Sequence, residues 1–220
     1  MSGIPRRILV ATRNEGKRRE LVELLAPLGA EIVSLATIGL PETAEEEAIE
    51  AHETFEENAL AKARHFHALS GLPAIADDSG LAVVALGGRP GVRSRRWSGR
   101  ADLSGRALDA ANNALLVESL RGAGERGARF VCAAAYVDDH RELVRRGETP
   151  GVIVDEPRGA GGFGYDPHFL SLELARTFGE ATMQEKATVS HRARAVAALC
   201  AALLGAEDAV TPVDQAGQAG

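Results

Sequence analysis

The stretch that most restricts the fold is Ile8-Leu9-Val10-Ala11, a short apolar run that passes without a break into the polar turn Thr12-Arg13-Asn14-Glu15-Gly16-Lys17. Leu21, Leu24, Leu25 and Leu28 follow at helical spacing, so the segment reads as a buried strand feeding an amphipathic helix. A strand that turns straight into a helix belongs to an α/β architecture. The turn also exposes unpaired backbone N–H groups at the positive end of the helix dipole, with Arg13 and Lys17 adding full charges. Such a turn suits a phosphate group, and it equally suits an ordinary connection with solvated charges.

The 220 residues carry a net charge of −6, which argues against a general nucleic-acid coat and requires a local device wherever an anion binds. Either a basic pocket or a divalent cation would serve. No run approaches the roughly 20 apolar residues of a membrane span, and Met1 to Arg7 leads into a strand rather than a signal-peptide core. A soluble, cytoplasmic protein with no membrane association is the expectation. Cys132 and Cys200 lie far apart in apolar surroundings and read as core thiols.

Strand and helix signals alternate along the chain. Gly29 is placed to close the first helix, and Ala30 to Ser34 returns as a strand. After the acidic stretch Glu42 to Glu57, the spacing of Phe55, Ala59, Ala63 and Phe66 predicts a helix from Thr54 to Ser70, ended by Gly71. Pro73 to Ala76 and Leu81 to Ala85 read as two strands separated by a turn, Asp77-Asp78-Ser79-Gly80. A helix is expected over Ser104 to Leu120. Strands are expected over Arg129 to Val137, Glu142 to Arg146 and Val152 to Asp155. A glycine-rich loop, Gly159 to Asp166, precedes a last helix capped by Ser190 and running to Leu204. Hairpin-like pairs in the second half favour a mixed sheet over a regular doubly wound one. Residues 1–205 read as one unit and 206–220 as a frayed tail.

Two carboxylates at the exit of a buried strand, Asp77 and Asp78, can act as hard oxygen ligands for Mg²⁺ or can cap a local turn. Glu50, Glu53 and Glu57 offer further oxygens within a face that is otherwise solvated. The six histidines show no zinc spacing, and neither a nucleophile elbow nor a complete Walker loop is present. Phe163-Gly164-Tyr165-Asp166 combines flat aromatic surface with a carboxylate, a wall for a heterocyclic base, although either ring could belong to the core. Lys186, His191 and Arg192 bring donors to a helix start, where they could read a base carbonyl or hold phosphate. Arg89 to Arg100, arginine-rich with Trp97, could contact RNA, small-nucleotide phosphates or a second subunit.

In order along the chain, Thr12 to Lys17, Thr54-Phe55-Glu56-Glu57-Asn58-Ala59, Ala76-Asp77-Asp78-Ser79-Gly80-Leu81, Gly161 to Pro167 and Ser190-His191-Arg192 together resemble the XTP/dITP diphosphatase family, the inosine triphosphate pyrophosphatases. The resemblance implies an elongated mixed α/β sheet flanked by helices, two lobes around a nucleotide cleft, and a homodimer. It also implies Mg²⁺-dependent hydrolysis of ITP, dITP and XTP to the monophosphate and pyrophosphate, with no stable nucleic-acid partner. By the same resemblance Asp78 is the acid–base carboxylate and a metal ligand, with Glu50 as the accompanying acid. Thr12, Arg13, Asn14, Glu15, Gly16 and Lys17 hold the triphosphate, and Ser79, Phe163, Gly164, Tyr165, Asp166, Lys186, His191 and Arg192 contact the substrate. Arg95, Ala193 and Ser171 to Arg176 depart from the usual pattern. A related pyrophosphatase for pyrimidine or modified nucleotides, and a binding module without turnover, are the competing readings.

Overall fold

A computed structural model describes residues 3–43 and 46–205. The expected tail, 206–220, lies outside the described residues.

The first apolar run forms β1 (Arg7–Val10), and the turn after it opens α1 (Glu15–Leu24), where Asn14 accepts from the Lys17 N–H at 3.0 Å. The helix stops four residues earlier than expected. Pro27 has no N–H to continue the ladder, so the chain tightens into a 3-10 turn, Ala26–Leu28, and Gly29 (φ +64°) closes that turn instead. Next come β2 (Glu31–Ser34), the short α2 (Glu46–Ile49) and α3 (Phe55–Ser70), the last capped by Thr54 and ended by Gly71 at φ +65°.

The expected turn at 77–80 is absent. β3 (Ala74–Val83) runs unbroken through Asp77-Asp78-Ser79-Gly80, because every residue of it pairs antiparallel with β4 (Gly127–Val137). Gly80 marks a close approach: a Cβ there would lie 2.4 Å from the Gly91 carbonyl oxygen and 2.4 Å from Ser94 Oγ in the 3-10 turn Gly91–Arg96. Before β4 comes α4 (Gly105–Ser119), close to its expected span. The two strands expected beyond β4 are likewise one, β5 (Glu142–Ile153), whose Gly147 leaves room for the backbone at His191. β6 (Phe169–Ser171), β7 (Arg176–Thr177), α5 (Met183–Val189) and α6 (His191–Leu203) complete the described chain.

The strands form one mixed seven-stranded sheet in the order β2-β1-β3-β4-β5-β6-β7, with β1 parallel to both neighbours and the remaining pairs antiparallel. Alternation along the strands separates the core by face. Ile8, Val10, Ile75 and Tyr136 pack with Leu21 of α1 and Val196 and Leu199 of α6, whereas Leu9, Ala76 and Val131 pack with Ala63 and Phe66 of α3. A third cluster, with Leu81, Phe130, Phe169 and Phe178, gathers at the far ends of the long strands under Leu116 of α4. Both cysteines are buried and unpaired in the first cluster. Among the described residues no helix is long and apolar enough to cross a membrane.

Candidate active site

The site lies where β1 ends and β3 continues. β1 pairs with β3 only at Leu9 with Ala74 and Val10 with Ile75, so beyond Ile75 this side of β3 is free of β1 and faces the start of α1. Asp77, Asp78 and Ser79 occupy that stretch. The strand pleat sends Asp77 and Ser79 to the α1/α6 face and Asp78 to the α3 face.

Asp77 is buried among cations. Its Oδ2 receives Arg192 Nε at 3.1 Å and lies 3.2 Å from Lys17 Nζ. Burial alone would push this carboxyl up, but Lys17, Arg192 and Lys62 together hold it well below the usual carboxylate range. Arg192, 1% exposed, also donates from Nη2 to Ser79 Oγ at 2.9 Å and from Nη1 to Glu20. Glu20 accepts a second cation, Lys186, at 3.0 Å, and Lys186 donates to Asp166 Oδ2 at 2.7 Å. The Phe163 ring covers the pair, with Lys186 Nζ 4.8 Å and the Arg192 guanidinium 5.8 Å from its centroid.

Asp78 is held differently. Its Oδ2 accepts from Asn58 Nδ2 at 3.0 Å and its Oδ1 from the Ser79 N–H at 3.0 Å. Burial raises its proton affinity; Lys17 and Lys62 oppose that rise, and Glu50 adds to it. Lys62 donates to the Asp77 carbonyl at 2.9 Å and pairs with Glu50, so the acid lies within the same electrostatic cluster. Asp78 therefore combines a raised affinity for protons with a position beside two ammonium groups, the properties of a general base that works near an anion.

Among the described residues no group of three or more His, Cys, Asp or Glu side chains could hold a metal ion. The donor set is smaller. Each Asp78 oxygen accepts one bond and keeps a lone pair, and Glu50 adds a second carboxylate. This fits an ion such as Mg²⁺, which takes one or two carboxylates and completes its shell with water and phosphate oxygens.

The fold thus gathers Lys17, Glu50, Asp78, Ser79, Phe163, Asp166, Lys186 and Arg192. Within the turn before α1, the Thr12 hydroxyl accepts from the Asn14 N–H at 3.2 Å. Gly16 lies so close beneath Phe163 that a Cβ would be 2.6 Å from its Cδ1. Other expected contacts are turned elsewhere. Arg13 is committed to Glu46 at 2.6 Å and to the Leu40 and Pro41 carbonyls, and Glu15 pairs outward with Arg18 and Arg19. The Tyr165 ring belongs to the third core cluster and its hydroxyl donates to the Ser94 carbonyl at 2.8 Å, so it does not wall a base. His191 is buried against Phe130 at 4.7 Å, and burial with two neighbouring cations keeps it neutral. Lys62 and Glu20 escaped sequence reading, and Asn58 stood in a family motif without a role. The signal available was their placement, since Asn58 and Lys62 interrupt the apolar face of α3 one turn apart and Glu20 follows Lys17 by three residues.

The sequence model of the Ham1 family matches residues 8–202. The dITP/XTP pyrophosphatase of Ralstonia nicotianae is 51% identical over 197 residues, spanning 88% of this chain and 94% of that protein. That of Aromatoleum aromaticum is 50% identical over 200 residues, spanning 90% and 96%. Among solved structures, a HAM1 protein from Coxiella burnetii superposes with a TM-score of 0.77 at 37% identity, covering 90% of this chain and 98% of its own. A nucleoside-triphosphatase, or dITP/XTP pyrophosphatase, from Mycobacterium abscessus superposes with a TM-score of 0.67 at 46% identity, covering 88% and 98%.

Proposed function

Since the chain belongs to the Ham1 family, we propose that it is a nucleoside triphosphate pyrophosphatase that hydrolyses the non-standard purine nucleotides ITP, dITP and XTP to the monophosphate and pyrophosphate. One observation carries the chemistry: Asp78 is a buried carboxylate with raised proton affinity, anchored by Asn58 and bordered by Lys62 and Lys17. Asp78 accepts the proton of a water molecule that attacks the α-phosphorus. The bond from that phosphorus to the bridging oxygen then breaks, and Lys17 with the free N–H groups of the α1 N-terminus balances the charge on the departing pyrophosphate. Asp78 and Glu50 would hold Mg²⁺, which when bound neutralises phosphate charge.

The base end is read by donors. Hypoxanthine, xanthine and guanine present a carbonyl at C6, and adenine an amino group; guanine is rejected at its C2 edge, where the 2-amino group is left unpaired or crowded. Arg192 gives three of its five N–H donors to Asp77, Ser79 and Glu20, and Lys186 gives two of its three protons to Asp166 and Glu20, so each keeps a donor for a carbonyl. Phe163 supplies the flat surface. The same reading includes a homodimer in the cytoplasm.

The test is to incubate purified protein with ITP, dITP, XTP, GTP, ATP and a pyrimidine triphosphate, with and without Mg²⁺, and to separate the products. Monophosphate and pyrophosphate from ITP and XTP, with little from GTP or ATP, are expected. Preferred cleavage of the pyrimidine nucleotide moves the substrate class, and binding without turnover makes the protein a nucleotide-binding module.

A further inference from the structure

The loop that carries Phe163 has almost no regular structure of its own. Within it the Phe163 N–H donates to Asp166 Oδ2 at 2.9 Å, and Gly162 and Gly164 both occupy positive φ. Asp166 Oδ2 also accepts from Lys186 and fixes one side of the loop; the other side is held from outside. On α4, Asp109 Oδ2 accepts from the Gly164 N–H at 2.9 Å, and Asn113 Nδ2 donates to the Gly164 carbonyl at 2.9 Å. The two residues are one turn apart on one face of the helix, so a rigid element grips both polar groups of a single loop residue.

Asn113 makes this bond while its own Oδ1 is buried with no partner. An unpaired buried acceptor is destabilising, and an apolar residue of similar size would avoid it, so packing alone does not account for an amide here. The neighbouring Asn112 faces the other way, accepting from the Ser98 N–H at 2.8 Å and donating to the Arg95 carbonyl at 3.0 Å. It ties α4 to the chain around the turn Gly91–Arg96, the turn whose Ser94 carbonyl receives Tyr165. The arginine-rich stretch is thus part of the frame that holds the loop.

We propose that Asp109 and Asn113 are positioning residues that set nucleobase selectivity, by clamping the peptide groups of Gly164 and so fixing the Phe163 ring above Lys186. The inference rests on the reading of the site as a purine nucleotide pyrophosphatase. Neither residue touches substrate. Releasing the clamp lets the ring move, which weakens binding of the base without touching the hydrolytic carboxylate.

The experiment compares Asp109→Ala, Asp109→Asn, Asn113→Leu and wild type for kcat and KM with ITP and ATP, alongside thermal unfolding. Asp109→Ala and Asn113→Leu should raise KM for ITP about tenfold with kcat within about twofold, and should narrow the ITP:ATP ratio of kcat/KM by a similar factor. Asp109→Asn, which still presents an acceptor, should restore most of both. Asn113→Leu should unfold close to wild type, because the unpaired acceptor it removes offsets the Gly164 hydrogen bond it loses. Unchanged KM and selectivity in both clamp variants, or a fall in kcat alone that tracks lost folded protein, overturns the inference. A wild-type protein that hydrolyses no triphosphate overturns the function itself.

Discussion

Asp77 and Asp78 are consecutive residues of one strand, yet the protein uses them in opposite ways. Asp77 points toward α1 and α6, where Lys17 and Arg192 make its ionised form the stable one. Asp78 points toward α3, where an uncharged amide holds it and burial raises its proton affinity. Charge saturation yields an anchor, and incomplete compensation leaves a group able to take up a proton. The same division runs through the site: Arg192, Glu20, Lys186 and Asp166 form a chain of ion pairs beneath Phe163, whereas Asp78 is held by an amide and a backbone N–H.

Replacing Asp78 with Asn is the hardest blow to that contrast. Turnover should fall about a thousandfold, within the range of a lost general base, while nucleotide binding persists in a calorimetric titration. On the fold two effects oppose, since the amide turns an N–H₂ toward Asn58 Nδ2 or the Ser79 N–H and yet removes a buried charge. Its raised folded pKa means that ionising Asp78 costs stability as pH rises from its ordinary 3.8 through the folded value, and the amide removes that cost. Near-normal turnover in this variant would end the assignment.

Asp77→Asn should do the reverse, costing about 3 kcal/mol in urea unfolding because Arg192 and Lys17 lose a buried partner. In the wild type the depressed pKa makes the contribution of Asp77 present above its ordinary 3.8 and lost as pH falls through the folded value. The stability difference between wild type and variant should therefore shrink in strong acid. Equal stability of the two at neutral pH would show that Asp77 is no anchor.

A smaller effect probes the junction of the two ends. Gly16→Ala places a methyl group against the Phe163 ring, which must tilt away. KM for ITP should rise several-fold with kcat nearly unchanged, and an unaltered KM would show that the ring is free to move without consequence.

The pattern of local signals was legible along the chain: the β1-to-α1 turn, the helix from Thr54 to Ser70, the cap at Ser190, and the family motifs that contain Lys17 and Asp78. Local turn chemistry misled at Asp77 to Gly80, where Asp-Asp-Ser-Gly spells a turn in sequence, and between Gly147 and Gly151, where two glycines and Pro150 break the strand pattern. There the glycines make room for a neighbouring backbone, and ladder pairing with β4 outweighs local preference.

By itself the sequence determined an α/β chain of this family with its chemistry concentrated on a few short motifs, because periodicity, capping and motif order are local properties. Only the tertiary structure decided that Asp77 is surrounded by cations while Asp78 keeps a raised proton affinity, that Arg13 and Tyr165 turn away, and that Glu20 and Asp109 bond to the residues of the site and its loop. A carboxylate's proton affinity and a side chain's free donors depend on which charges and amides surround it. Those neighbours come from elements as far apart in sequence as α1 and α6.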